Sequence, residues 1–165
     1  MSIQKIISGG QSGVDQAALF AATLLSLSTG GFAAQGWQTE SGSAKELLEG
    51  YGLKECARPG YPARTEANVR ASDATVIISN ERKLTGGSYG TECVAESLDK
   101  PVWRVWVNGH GVEEFVASGS RLTFAAWAAI HSVRVLNVAG PRASKWAGGE
   151  EATVEWLMGR LGGSE

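Results

Sequence analysis

Short apolar runs alternate with longer stretches whose apolar positions recur every three or four residues. Strand patterns are read at residues 4–8, 31–34, 74–79, 102–107 and 133–138. The run Ala74-Thr-Val-Ile-Ile78 is apolar on both faces, as a central strand covered on both sides requires. Between the runs, Val14, Ala18, Ala21, Ala22 and Leu25 fall on one helical stripe, predicting a helix over 14–27. Further helices are predicted at 44–49, at 62–72 with Pro62 in the first turn, and after Gly90 up to Lys100-Pro101. Residues 122–130, LTFAAWAAI, form an apolar helix suited to the core or to a subunit interface, with core preferred. A last helix from about 149 stacks Val154, Leu157, Met158 and Leu161.

Strands alternating with helices predict a single α/β domain over 1–165, a three-layer Rossmann-like fold whose mainly parallel sheet is flanked by helices. The segment 35–60, rich in glycine, proline and serine, is too long for an ordinary connection and is expected to act as a lid or a ligand-contacting loop.

Composition narrows the function. With 165 residues, 43% hydrophobic, one core suffices. A net charge of −2 with scattered lysines and arginines disfavours nucleic acid and membrane surfaces as partners. Cys56 and Cys93 stand far apart with no adjoining histidines, and His110 and His131 share no ligand spacing, so no metal site is expected. MSIQKIISGG enters a strand at once, which predicts no secretion signal and a cytoplasmic location.

Three strand ends carry chemistry. Ser8-Gly-Gly-Gln-Ser-Gly13 joins the first strand to the first helix, where loop N–H groups and the helix dipole favour an anion; an unliganded tight turn explains the glycines as well. Asp15 is expected to cap that helix, with binding of a ribose hydroxyl or activation of water as further roles. A second cluster, containing Gly86, Gly87, Ser88 and Thr91, follows the strand 74–79, and two such loops in one parallel sheet face each other at a switch point. Arg64, Thr65 and Asn68 share a face of the helix 62–72, where Arg64 can fork onto phosphate or remain a solvated surface arginine. Leu136-Asn-Val-Ala-Gly-Pro-Arg142 opens on the same side and makes Arg142 a further anion candidate. Trp37 and Tyr89, beside glycines, are candidates to stack on a planar ligand.

Four segments, ISGGQSGVDQAAL, RTEANVRASDATVII, LTGGSYGT and LNVAGPRAS, occur in that order and together resemble the so-named molybdenum carrier family. This is the circularly permuted YpsA-like branch of the SLOG superfamily, related to LOG, or lysine decarboxylase-like, Rossmannoid proteins. The resemblance implies a homo-oligomer, dimer or tetramer, binding a small phosphate-bearing ligand: a nucleotide or the molybdenum cofactor, a pterin phosphate. Its site falls on Ser8, Gly9, Gly10, Gln11, Ser12, Gly13, Asp15, Arg64, Thr65, Asn68, Gly86, Gly87, Ser88 and Thr91. The LOG relatives imply an alternative, a nucleoside-monophosphate phosphoribohydrolase, with Arg64 orienting phosphate and Glu92 or Glu96 assisting cleavage. Their PGGxGTxxE pattern is altered here: Thr85 replaces the proline and an extra residue separates Gly87 from Gly90.

Overall fold

The computed structural model describes residues 2–116 and 119–163. Its strands are β1 (Lys5–Ile7), β2 (Ser28–Ala33), β3 (Gln38–Thr39), β4 (Gly42–Ser43), β5 (Leu53–Glu55), β6 (Ala74–Ser79), β7 (Val102–Asn108), β8 (Gly111–Phe115) and β9 (Val135–Ala139). The helices are α1 (Val14–Leu24), α2 (Lys45–Gly50), α3 (Tyr61–Ala71), α4 (Gly86–Ser97), α5 (Phe124–Ile130) and α6 (Gly149–Leu161). Seven strands form one sheet in the order β5-β2-β1-β9-β6-β7-β8. All neighbours run parallel except β7 and β8, whose hairpin closes one edge. This is the expected Rossmann-like architecture.

Every residue of β6 is buried, which is why its sequence is apolar throughout. Ala74, Val76 and Ile78 face a core shared with Val14, Ala18 and Ala21 of α1, Phe124 and Trp127 of α5, and Trp156 and Leu157 of α6. The alanine stripe of α1 lets it lie close to the sheet and to α6. Phe124 stands at the centre of an aromatic group, its ring 5.6 Å from Trp103, 5.7 Å from Trp127 and 5.0 Å from Trp156. The expected apolar helix is therefore core, entered through Thr123, whose hydroxyl oxygen accepts the N–H of Ala126. Helices α3 and α4 pack together. Among the described residues, no helix is long and apolar enough to cross a membrane.

The chain leaves β1 toward β2 and leaves β6 toward β7, in opposite directions along the sheet. Between them lies β9, the last strand in sequence, paired with β1 on one side and β6 on the other. The carboxyl ends of β1, β9 and β6 thus border the crevice where open α/β sheets hold ligands.

Candidate functional site

A cavity of about 380 Å³ opens in that crevice. Its lining includes Gly9, Gln11 and Asp15 after β1, Arg64, Thr65 and Asn68 of α3, Gly86, Gly87, Ser88 and Thr91 of α4, and Arg142 after β9. Eleven positions from four distant sequence segments thus meet. Ser8, Gly10, Ser12 and Gly13 do not line it.

In the first loop the N–H groups of Gly10, Gln11 and Ser12 are already engaged. Gly10 N donates to Ser8 Oγ at 3.2 Å, Gln11 N to Asp15 Oδ2 at 3.2 Å, and Ser12 N to Gln11 Oε1 at 3.0 Å. The start of α1 is also covered: Val14 N reaches Pro141 O, and a Cβ on Gly13 would stand 2.6 Å from Ala143 N and 2.7 Å from Pro141 O. Gly13 has φ +85, so glycine serves both the turn and the approach of the β9 loop. Ser12 faces outward, donating to Glu40 Oε1 at 2.7 Å. Arg142 is held by the same carboxylate, 3.2 Å from Glu40 Oε2. The Ser144 hydroxyl, which donates to Glu40 Oε2, and then the Ser12 hydroxyl hold the Glu40 carboxyl below its usual range, with a smaller pull from Arg142. No residue of 35–60 lines the cavity; instead the β3–β4 hairpin fastens the first loop, with Glu40 N donating to Gln11 Oε1.

The other wall is open. Thr85, at the start of α4, gives no side-chain cap, since its hydroxyl donates to Glu81 Oε2 at 2.7 Å. The helix begins at Gly86, four residues before the predicted Gly90, so Gly86 and Gly87 form its first turn and offer N–H groups and positive dipole to the cavity. A Cβ on Gly86 would come within 3.1 Å of Lys145 Nζ, which places that ammonium over the same helix end. Sequence reading stopped at Ser144 and missed Lys145. Thr91 is tied to its own helix, its hydroxyl donating to Gly87 O.

Arg64 dominates the centre. Its guanidinium lies 4.9 Å from the Tyr61 ring and crosses Gly9, where a Cβ would come within 2.5 Å of Arg64 Nε. Glycine is needed there for that approach. Nε and Nη1 are buried and have no hydrogen-bond partner among the described residues. A buried donor without an acceptor is costly, and an anion would supply one. Asn68, four residues on, is structural by contrast: its amide grips Phe32 O at 2.9 Å and Arg64 O at 3.1 Å while its carbonyl accepts Phe32 N at 2.9 Å.

Asp15 is 5% exposed. Burial pushes its carboxyl from 3.8 up to about 6, opposed by the Arg64 charge and by N–H groups of Gln11 and Gly9. It caps the loop rather than the helix. Asn137, also missed, lies in the cavity floor and donates to Thr75 Oγ1; a polar residue inside LNVA was the available signal. Trp37 is packed among Leu19, Leu48 and Leu53, and neither it nor Tyr89 borders the cavity. Glu92 and Glu96 border a second cavity, where Glu92 pairs with the buried Arg104 at 3.5 Å, so neither accompanies Arg64.

Fold and crevice together define a Rossmann-like ligand-binding domain. The chain belongs to the Circularly permutated YpsA SLOG family, whose model matches residues 6–161. It is similar to the crystal structure of a "Putative molybdenum carrier protein" from Syntrophus aciditrophicus SB, with 38% identity and a TM-score of 0.78, covering 94% of this chain and 92% of that one. No match was found among curated proteins.

Proposed function

We propose that the protein binds a phosphate-bearing small molecule, nucleotide-like or pterin-type, with its anionic group on Arg64. The buried Nε and Nη1 of Arg64, lying across Gly9 without acceptors among the described residues, carry this conclusion. The uncapped start of α4 with Lys145 supplies a second positive wall. A cavity of about 380 Å³ falls within the roughly 300–1,000 Å³ usual for small-molecule sites. The resemblance to a molybdenum carrier adds the molybdenum cofactor to the candidates. Among the described residues no group of three His, Cys, Asp or Glu side chains stands together, so such a cofactor would be held by its pterin and phosphate, with Arg64 on the phosphate.

Thermal unfolding with nucleoside monophosphates, pyrophosphate and pterin phosphates tests this. A ligand at 100 times its Kd adds about 2.7 kcal/mol, which raises Tm by several degrees. The Arg64→Ala protein is expected to lose that shift. No stabilisation by any phosphate-bearing probe, or an undiminished shift in Arg64→Ala, would overturn the assignment.

A further inference from the structure

The cavity is lined by a buried carboxyl, Asp15, and by the half-buried Arg64, and no ion pair joins them among the described residues. Arg64 brings buried Nε and Nη1 atoms without acceptors among those residues. Asp15, 5% exposed, also lines the cavity; its Oδ2 accepts the backbone N–H of Gln11 at 3.2 Å, and the Gly9 N–H also acts on the carboxyl, but no cationic side chain pairs with it among the described residues. The opposing charges act on each other through space. An anion that settles on Arg64 neutralises the cation facing Asp15 and adds a second negative charge to the same water-poor space. Two anions so placed cannot both stay ionised cheaply, and one of them takes a proton.

The remaining charged groups do not remove this conflict. Glu81, from the loop after β6, accepts from Thr85, and Arg142, after β9, is held by Glu40. Lys145 stands at Gly86, at the start of α4, while α3 contributes Arg64 and Tyr61.

We propose that the cavity takes up its anion together with one proton from solvent, and that Asp15 is the residue that holds this proton. The carboxylate becomes a carboxylic acid, and no other bond changes. The inference rests on anion binding at Arg64 and adds a pH dependence that the ligand class alone does not require. Burial already lifts the Asp15 carboxyl to about 6 against the pull of Arg64, and an anion on Arg64 cancels that pull. The carboxyl then stays protonated to higher pH.

Sulfate is the probe, because it stays fully ionised near neutral pH and brings no proton of its own. Calorimetric titration near pH 7, in two buffers of different ionisation enthalpy, counts the protons taken up. Wild type is expected to gain a fraction approaching one proton per sulfate, with affinity weakening by up to about tenfold per pH unit on the alkaline side. Asp15→Asn is expected to bind sulfate with no such uptake and a flat pH profile. Equal uptake in both proteins, or proton-silent binding by wild type, overturns the role of Asp15. Absence of sulfate binding by wild type overturns the anion site on Arg64 itself. A second readout needs no variant: the titration midpoint of the Asp15 carboxyl, followed by carbon-13 NMR, is expected to rise on adding sulfate. An unmoved midpoint refutes the coupling.

Discussion

Replacing Asp15 by asparagine is expected to stabilise the ligand-free protein at neutral pH. The carboxyl is 5% exposed and titrates at about 6, against an ordinary value of 3.8. A folded-state pKa above the unfolded one means the folded state prefers the protonated acid. That preference adds stability in full below pH 3.8, and the gain is lost as pH rises through about 6. At 1.36 kcal/mol per pH unit, about 3 kcal/mol of stability is missing at pH 7 because the buried carboxylate is ionised. Asparagine keeps the shape and still offers an oxygen to Gln11 N, so most of that amount should return. The assay is urea unfolding of both proteins across pH 4 to 8. Titrations of all other groups are shared, so the difference in stability isolates Asp15. It should rise through the pH 4–6 interval and level off near 3 kcal/mol above it. A flat difference, or an asparagine variant less stable than wild type at pH 7, would refute the assignment of burial as the dominant influence on this carboxyl.

Asn68→Ala removes two hydrogen bonds that hold α3 against Phe32 of β2 and a third within α3, to Arg64 O; a loss of about 3 kcal/mol is expected by denaturant titration. Because Arg64 O is one of the anchored groups, phosphate-dependent stabilisation should weaken too. Phe124→Ala empties the centre of the aromatic group and is expected to cost about 3–5 kcal/mol. Its Tm should fall by on the order of 10 °C, read by near-ultraviolet circular dichroism, which reports the same tryptophans.

The elements legible in the sequence are those whose own residues decide them. β6 is apolar on both faces, and Val14, Ala18 and Ala21 mark the buried stripe of α1, so both were placed within a few residues. β5 and β8 were not visible because they are short edge strands with exposed, charged residues, Leu-Lys-Glu and Gly-Val-Glu-Glu-Phe, made strands by their neighbours. The start of α4 was put too late because Gly86-Gly87 reads as loop by propensity, whereas here the glycines lie in the first turn, which needs few intrahelical bonds.

For the site, composition marked the segments suited to an anion, and four of them meet at the cavity. It could not show that Asp15, Ser8 and Gln11 would turn inward and occupy the N–H groups of their own loop, because that depends on side-chain direction. Arg64 and Asn68 looked alike at helical spacing. Only packing separates them, Asn68 satisfied against β2 and Arg64 left open over Gly9.

Placing the final strand in the middle of the sheet has a consequence for synthesis. While the ribosome is still making the chain, β1 and β6 are complete but each lacks its β9 neighbour, so two open edges wait for residues 135–139. Such edges are the parts of a nascent chain most prone to pair with the wrong partner. The ligand cavity waits with them, since Asn137, Gly140 and Pro141 form part of its lining. Emergence of β9, not of the glycine loops, is therefore the step that completes the cavity, and a truncation before β9 would leave an aggregation-prone fragment with every earlier motif intact.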